Sequence, residues 1–155
     1  MNPFRNPSAR AYQEIGIETG IAGASPHQLV LMLFDGTLSA IADARQHMRS
    51  GNVPAKGAAV SRAIRIISEG LSVSLDIERG GPIAQQLRDL YDYMVRRLVE
   101  ANLNNREEFL AEVTALLTEL RAAWCQIGER PAPQSAPAGA PLPRQDRRAV
   151  SYGAA

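Results

Sequence analysis

The chain has 155 residues, enough for one domain with a single core. Its apolar residues (45%) are mostly Leu, Ile, Val and Ala with only 5% aromatics, a mix suited to helix-on-helix packing rather than to a β-sandwich. Lys and Arg number 17 against 16 Asp and Glu, and the resulting charge of +1 gives no electrostatic case for nucleic acid or an anionic membrane. The single cysteine, Cys125, excludes an internal disulfide and a cysteine-rich metal site.

From the N-terminus, residues 1–24 read as an arm. They carry Arg5 and Arg10 without an apolar h-region, so no secretory signal is expected and the expected address is the cytoplasm. Residues 9–21 are weakly amphipathic and carry Gly16 and Gly20. Too short to hold a helix alone, they must lie against the rest or move.

Residues 25–128 read as an antiparallel up-down four-helix bundle, an all-α fold. Ser25-Pro26-His27-Gln28 is a helix start, with Ser25 as N-cap, Pro26 in the first turn and Gln28 closing a capping box. The first helix is expected from Pro26 to about Arg49, before Ser50-Gly51-Asn52. The second runs from about Pro54 to Ile77 and ends before Gly80-Gly81. Pro82 opens a third, to about Leu103. Asn105 with Glu108 three residues later resembles the cap of a fourth, which Gly128 stops after Ile127. Helices of some 20 residues, roughly 30 Å, joined by short connections make antiparallel neighbours. No stretch approaches the ~18 uncharged apolar residues of a membrane span. Residues 129–155 are rich in Pro and Ala with few large apolar side chains and read as a disordered tail; a basic docking site at Arg147 and Arg148 is the other reading.

Periodicity puts Phe109, Leu110, Val113, Leu116, Leu117, Leu120, Trp124 and Ile127 on one core face of the fourth helix. Ile83, Leu87, Leu90, Tyr91, Met94, Leu98 and Ala101 share one on the third. The first two helices carry more. Beside Leu29, Met32, Leu33, Gly36 and Ala40 stands a second stripe of Val30, Phe34, Leu38 and Ile41. Beside Val60, Ile64, Ile67, Leu71 and Leu75 stand Ile66, Val73 and Ile77. Either the faces are wide or covered by the N-terminal arm, or they form a groove for a partner's amphipathic helices. The two are compatible if the arm is a displaceable cover. The candidate partner-binding residues are Tyr12, Val30, Phe34, Ile41, Ile66, Val73 and Ile77.

Catalytic signals are weak, and no enzyme is expected. His27 and His47 lie at opposite ends of one helix and cannot share a metal; no Glu-x-x-His pair for a di-iron bundle occurs. Cys125 has no signature pairing it with a base, and Gly80-Gly81-Pro82 lacks the lysine of a phosphate loop. No metal or cofactor is expected. The rival reading is a histidine-phosphotransfer bundle, which His47-Met48-Arg49-Ser50-Gly51 loosely imitates, although there the helix is already ending.

Three stretches resemble the flagellin export chaperones of the FliS family. They are Ala24-Ser25-Pro26-His27-Gln28-Leu29-Val30-Leu31-Met32-Leu33-Phe34-Asp35-Gly36; Lys56-Gly57 with Ser61-Arg62-Ala63-Ile64-Arg65-Ile66-Ile67; and Gly80-Gly81 through Leu90-Tyr91-Asp92-Tyr93-Met94 to Ala101-Asn102-Leu103-Asn104-Asn105. Tyr12, in an Ala-Tyr pair, is similar to the family's N-terminal tyrosine. Pro82 departs from the pattern, standing where an acidic residue is more usual. The resemblance implies a cytoplasmic chaperone that binds the C-terminal region of flagellin, prevents early polymerisation and aids delivery to the flagellar type III export apparatus. It also implies that the client becomes helical against apolar surface which the N-terminal segment covers when the client is absent.

Overall fold

The computed structural model describes residues 23–129, which are helical apart from short connections. Helix α1 spans Pro26–Ser50. Helix α2 spans Val53–Ile66 and passes directly into a π-helical turn, Ile67–Leu71. Helix α3 spans Ile77–Asn104, and α4 spans Glu107–Glu129. Contacts divide the chain after Trp124; the described part of the second unit is residues 125–129, the last turn of α4. Residues 1–22, with Tyr12, and the tail from 130 onward lie outside the described residues.

The start of α1 forms as its sequence dictates. Ser25 Oγ accepts from the Gln28 amide at 3.1 Å, the Gln28 side chain accepts from the Ser25 amide at 3.0 Å, and Pro26 occupies the first turn. Gly51, at φ 76°, closes α1 in the left-handed region that glycine tolerates. Asn52 Oδ1 then caps α2 by accepting from the Ala55 amide at 3.2 Å.

Cross-helix contacts fix an up-down-up-down topology. At one end His27 of α1 meets Trp124 of α4, and at the other Arg45 and Arg49 of α1 bind Glu107 of α4, so these two helices are antiparallel. Arg62 of α2 pairs with Asp43 of α1, and Glu112 of α4 takes Tyr93 and Arg97 of α3. Lys56, at the start of α2, reaches the end of α3, where Nζ donates to Asn102 O at 2.9 Å and Asn105 Oδ1 at 2.6 Å. It is buried at 5% exposure, because a cation that satisfies the last carbonyls of a helix can be withdrawn from water. Asn105, read from the sequence as the N-cap of α4, instead ends α3 in the left-handed region at φ 53°. The short polar side chain of asparagine suits either role, and the proximity of Lys56 decides between them.

The connection from α2 to α3 also differs from the expected one. A continuous helix to Ile77 is replaced by the π-turn, a turn over Ser72–Ser74, and a new helix start at Ile77 capped by Asp76 Oδ1, which accepts from the Arg79 amide at 3.1 Å. Gly81 breaks α3 internally at φ 55°, ψ −136°. Its neighbour Gly80 has no room for a side chain, since a Cβ there would stand 2.6 Å from Ala84 Cβ. We expect Gly81→Ala to lower unfolding stability by about 1–3 kcal/mol, the usual penalty for a non-glycine residue held in such a region. The midpoint of urea denaturation measures it.

The double apolar stripes resolve into wide core faces. Phe34 (3% exposed), Ile41 and Ile66 are buried with Leu33, Ala40, Ala63 and Ile67. As free surface these three expectations are corrected: a helix with neighbours on both flanks buries an arc of more than about 100°, so both phases face inward. Ile83, expected in the core, is 69% exposed, and Ile127 is exposed as well.

Ion pairs staple the rim. Glu107 is held below the usual carboxylate range, first by the hydrogen bond from Arg49 and then by Arg45; Glu112 is lowered by Tyr93 and then Arg97. A carboxylate whose folded value lies below its unfolded value of 4.5 contributes stability that is fully present above that value and lost as pH falls through the folded value. Thermal stability should therefore be flat near neutrality and fall below about pH 4.5. In Glu112→Gln that acid-side fall should be shallower, as read from melting temperature against pH.

Candidate functional site

Burial is uneven along the bundle. Where α1 and α3 end and α2 and α4 begin, the core stripes are sealed, with Ile41, Ala44, Ala63, Leu98, Leu110 and Val113 all solvent-excluded. Towards the opposite end the same stripes continue, and burial becomes patchy: Leu33, Leu71, Ala84 and Leu117 are still buried. Leu75 of the connection before α3, Leu87 and Leu90 of α3, Leu120 and Trp124 of α4 and Val30 of α1 are only partly buried against the core, and Ile83 is largely exposed. The helix register set by the His27–Trp124 and Asp35–Arg121 contacts, and by Lys56 on the end of α3, puts these residues towards the same end of the bundle, called the mouth below. A bundle helix that keeps its apolar stripe past the point where neighbours cover it leaves surface for something else to cover.

Polar groups frame this mouth without filling it. The His27 and Trp124 rings stack at 5.1 Å and 10°; His27 Nε2 lies 2.6 Å from Trp124 O, and Trp124 Nε1 donates to His27 O at 3.1 Å. This reciprocal clasp ties the first turn of α1 to α4. Beside it an open groove of about 320 Å³ is lined by Gly23, Ala24, Gln28, Leu31, Met32, Asp35 and Arg121. Its charged pair is internally matched, with Arg121 Nε and Nη2 donating to the two Asp35 oxygens at 2.5 and 3.2 Å. Arg97, flat over the Phe109 ring at 3.7 Å, belongs to the α3–α4 seam away from the mouth. Tyr91, pushed up to about 12 by burial, stays a neutral phenol in the core.

Of the residues singled out from the sequence, Val30, Val73 and Ile77 stand at the open end, Val73 at 50% exposure and the other two half-buried. Phe34, Ile41 and Ile66 lie in the interior, and Tyr12 is outside the described residues. Sequence reading missed Ile83, Leu87, Leu90, Leu75 and Trp124, because periodicity reports which face is apolar and not whether a neighbour covers it. The signal in the sequence nearest to them is the glycine pair, since α3 breaks at Gly81, two residues before the exposed Ile83. His47 lies in the last turn of α1, at the sealed end. Among the described residues no three His, Cys, Asp or Glu side chains could hold a metal ion, and no helix is long and apolar enough to cross a membrane.

A helical bundle whose outstanding feature is an uncovered apolar mouth belongs to the class of protein-binding modules. The family model described as flagellar protein FliS matches residues 8–131. A flagellar secretion chaperone FliS of Salmonella typhimurium is 49% identical over 121 residues, 78% of this chain and 90% of that one. The Escherichia coli K12 protein of the same name is 48% identical over 115 residues, 74% of this chain and 85% of its own. The Bacillus subtilis protein is 35% identical over 123 residues, 79% and 86%. The chain belongs to the FliS family of flagellar secretion chaperones, proteins that bind a client and catalyse nothing.

Proposed function

We propose that this protein is the cytoplasmic chaperone of flagellin, holding the C-terminal region of its client unpolymerised and passing it to the flagellar type III export apparatus. The observation that carries the reading is the group of partly buried aliphatic side chains towards one end, Leu75, Leu87, Leu90 and Leu120, with Ile83 and Val73 exposed beside them. Such a surface suits the apolar face of an amphipathic helix. Ordering a disordered client costs entropy, which burial of apolar side chains offsets, so the interaction is coupled folding and binding. Val30, Val73 and Ile77 join the contact surface; Phe34, Ile41 and Ile66 support it from below. The N-terminal segment with Tyr12 acts as the displaceable cover.

The test is titration of the purified chain with a flagellin C-terminal segment, followed by calorimetry and circular dichroism. Binding with a gain of helix and a negative heat-capacity change is expected. Flagellin lacking that segment should not bind. Equal binding of the truncated flagellin would overturn the reading.

A further inference from the structure

The π-turn of α2 divides two apolar phases of one segment. In the observed state Leu71 is buried and Leu75 half-buried, while Val73 is 50% exposed. The turn is held by the Ser72 amide donating to Ile67 O at 2.8 Å, the wide bond of a π-helix. On the next turn the Ser74 amide and Oγ both donate to Gly70 O with ordinary helical spacing, at 3.0 and 2.7 Å.

Without the extra residue of the π-turn the inward set changes. At about 100° per residue from Val53, Ile66, Val73 and Ile77 fall on the arc of the buried Ala59 and Ala63. Leu71 and Leu75 turn about a quarter circle away, to the edge carrying Val53 and Ile64. The straight register also turns aliphatic side chains inward. The polar side chain it brings onto that arc, Ser74, keeps Gly70 O as its partner, as the buried Thr37 keeps Leu33 O, and Glu78 reaches only the edge of the arc in the last turn. The ends permit it too. Lys56 pairs α2 with Asn102 and Asn105 of α3, and the midpoint of that pairing falls at Arg79–Gly81, where two straight helices would meet. The helical turn Ile77–Gly80 already stands between breaks at Ser72–Ser74 and at Gly81, free to serve as the end of α2 or the beginning of α3.

We infer that α2 is a register switch with two states. The observed π state buries Leu71, and a straight α state buries Val73 and Ile77 while presenting Leu71 and Leu75 to a partner along the edge of Val53 and Ile64. Bistable helix registers of this kind convert a local binding event into a discrete change, and a client that contacts the two leucines favours the straight state by its differential affinity. The existence of the two states is independent of the client; its role as the trigger rests on the flagellin reading above.

Single thiols at position 73 or 75, introduced by Val73→Cys or Leu75→Cys in a Cys125→Ser background, report the register through their rates of alkylation. In the parent the thiol at 73 should react faster. Ser72→Ala with Ser74→Ala removes the Ser74 side-chain bond to Gly70 O, leaves the backbone bonds in place, and raises helix propensity. It should slow position 73 relative to position 75 by at least tenfold while helix content rises. If that ratio stays unchanged, or if the variant unfolds and the milder Ser74→Ala alone leaves it unchanged, the switch is overturned. Flagellin C-terminal segment added to the parent should likewise reverse the order of the two thiols. Binding, seen by co-elution, with both thiols protected and no reversal would overturn the trigger. Absence of co-elution would overturn the client reading and the trigger that rests on it, leaving the alanine variants to decide the switch.

Discussion

Ile66→Asp is expected to unfold the bundle or to cost at least about 4 kcal/mol. Ile66 is fully buried between α2 and its neighbours, among Ala63 and Ile67. The change removes a large aliphatic group, worth about 2–5 kcal/mol when an interior isoleucine is truncated, and places a carboxylate in a fully buried, largely apolar position. Urea denaturation should show loss of the folded baseline or a midpoint shift of that size. Ile66→Val, by contrast, should cost only about 0.5–1.5 kcal/mol. Val73→Asp is the informative companion. Half-exposed in the π register, position 73 should accept the charge within about 1 kcal/mol, yet the same charge bars the straight register. A stable Val73→Asp protein with weakened client binding, beside an unfolded Ile66→Asp protein, separates the two residues that periodicity had placed on one stripe.

The second large effect is expected at the mouth. Leu87→Asp puts a charge at the centre of the half-covered leucines of α3. Client affinity should fall at least tenfold, about 1.4 kcal/mol, while the free bundle, where that side chain packs partly buried against the core, loses about 1.5–3 kcal/mol. Leu103→Asp is the control. Leu103 is 73% exposed at the sealed end of the bundle, in the last turn of α3. An aspartate there should leave both client affinity and stability unchanged. Equal weakening by the two substitutions would mean that the client does not distinguish the ends of the bundle, and the mouth would lose its assignment. Calorimetric titration with the flagellin C-terminal segment measures both.

The sequence by itself determined the helices, most of their boundaries and their antiparallel order. The reasons are local. Ser25 and Gln28 supply each other's hydrogen bonds, Gly51 takes a conformation that other residues resist, and the spacing of Leu98, Ala101, Leu110, Val113 and Leu117 leaves one inward face for each helix. The family was legible for a related cause, since its pattern lies in the ordered spacing of those same stretches and the match spans residues 8–131.

Only the tertiary structure decided how wide each core face is and where cover stops. Phe34, Ile41 and Ile66 looked surplus because helix geometry alone knows nothing of neighbours on both flanks. Ile83 looked like interior for the converse reason: it is 69% exposed while its neighbour Ala84 is buried, and Leu87 is only partly covered. Asn105 and Lys56 make the same point with polar atoms: whether an asparagine caps the helix before it or the one after it was settled by a lysine 49 residues away in sequence. The π-turn lay furthest from reach. Both registers put aliphatic side chains on the inward arc, so local pattern could not choose between them, and in the observed state the burial of Leu71 and the Ser72 amide's bond to Ile67 O hold the π-turn together.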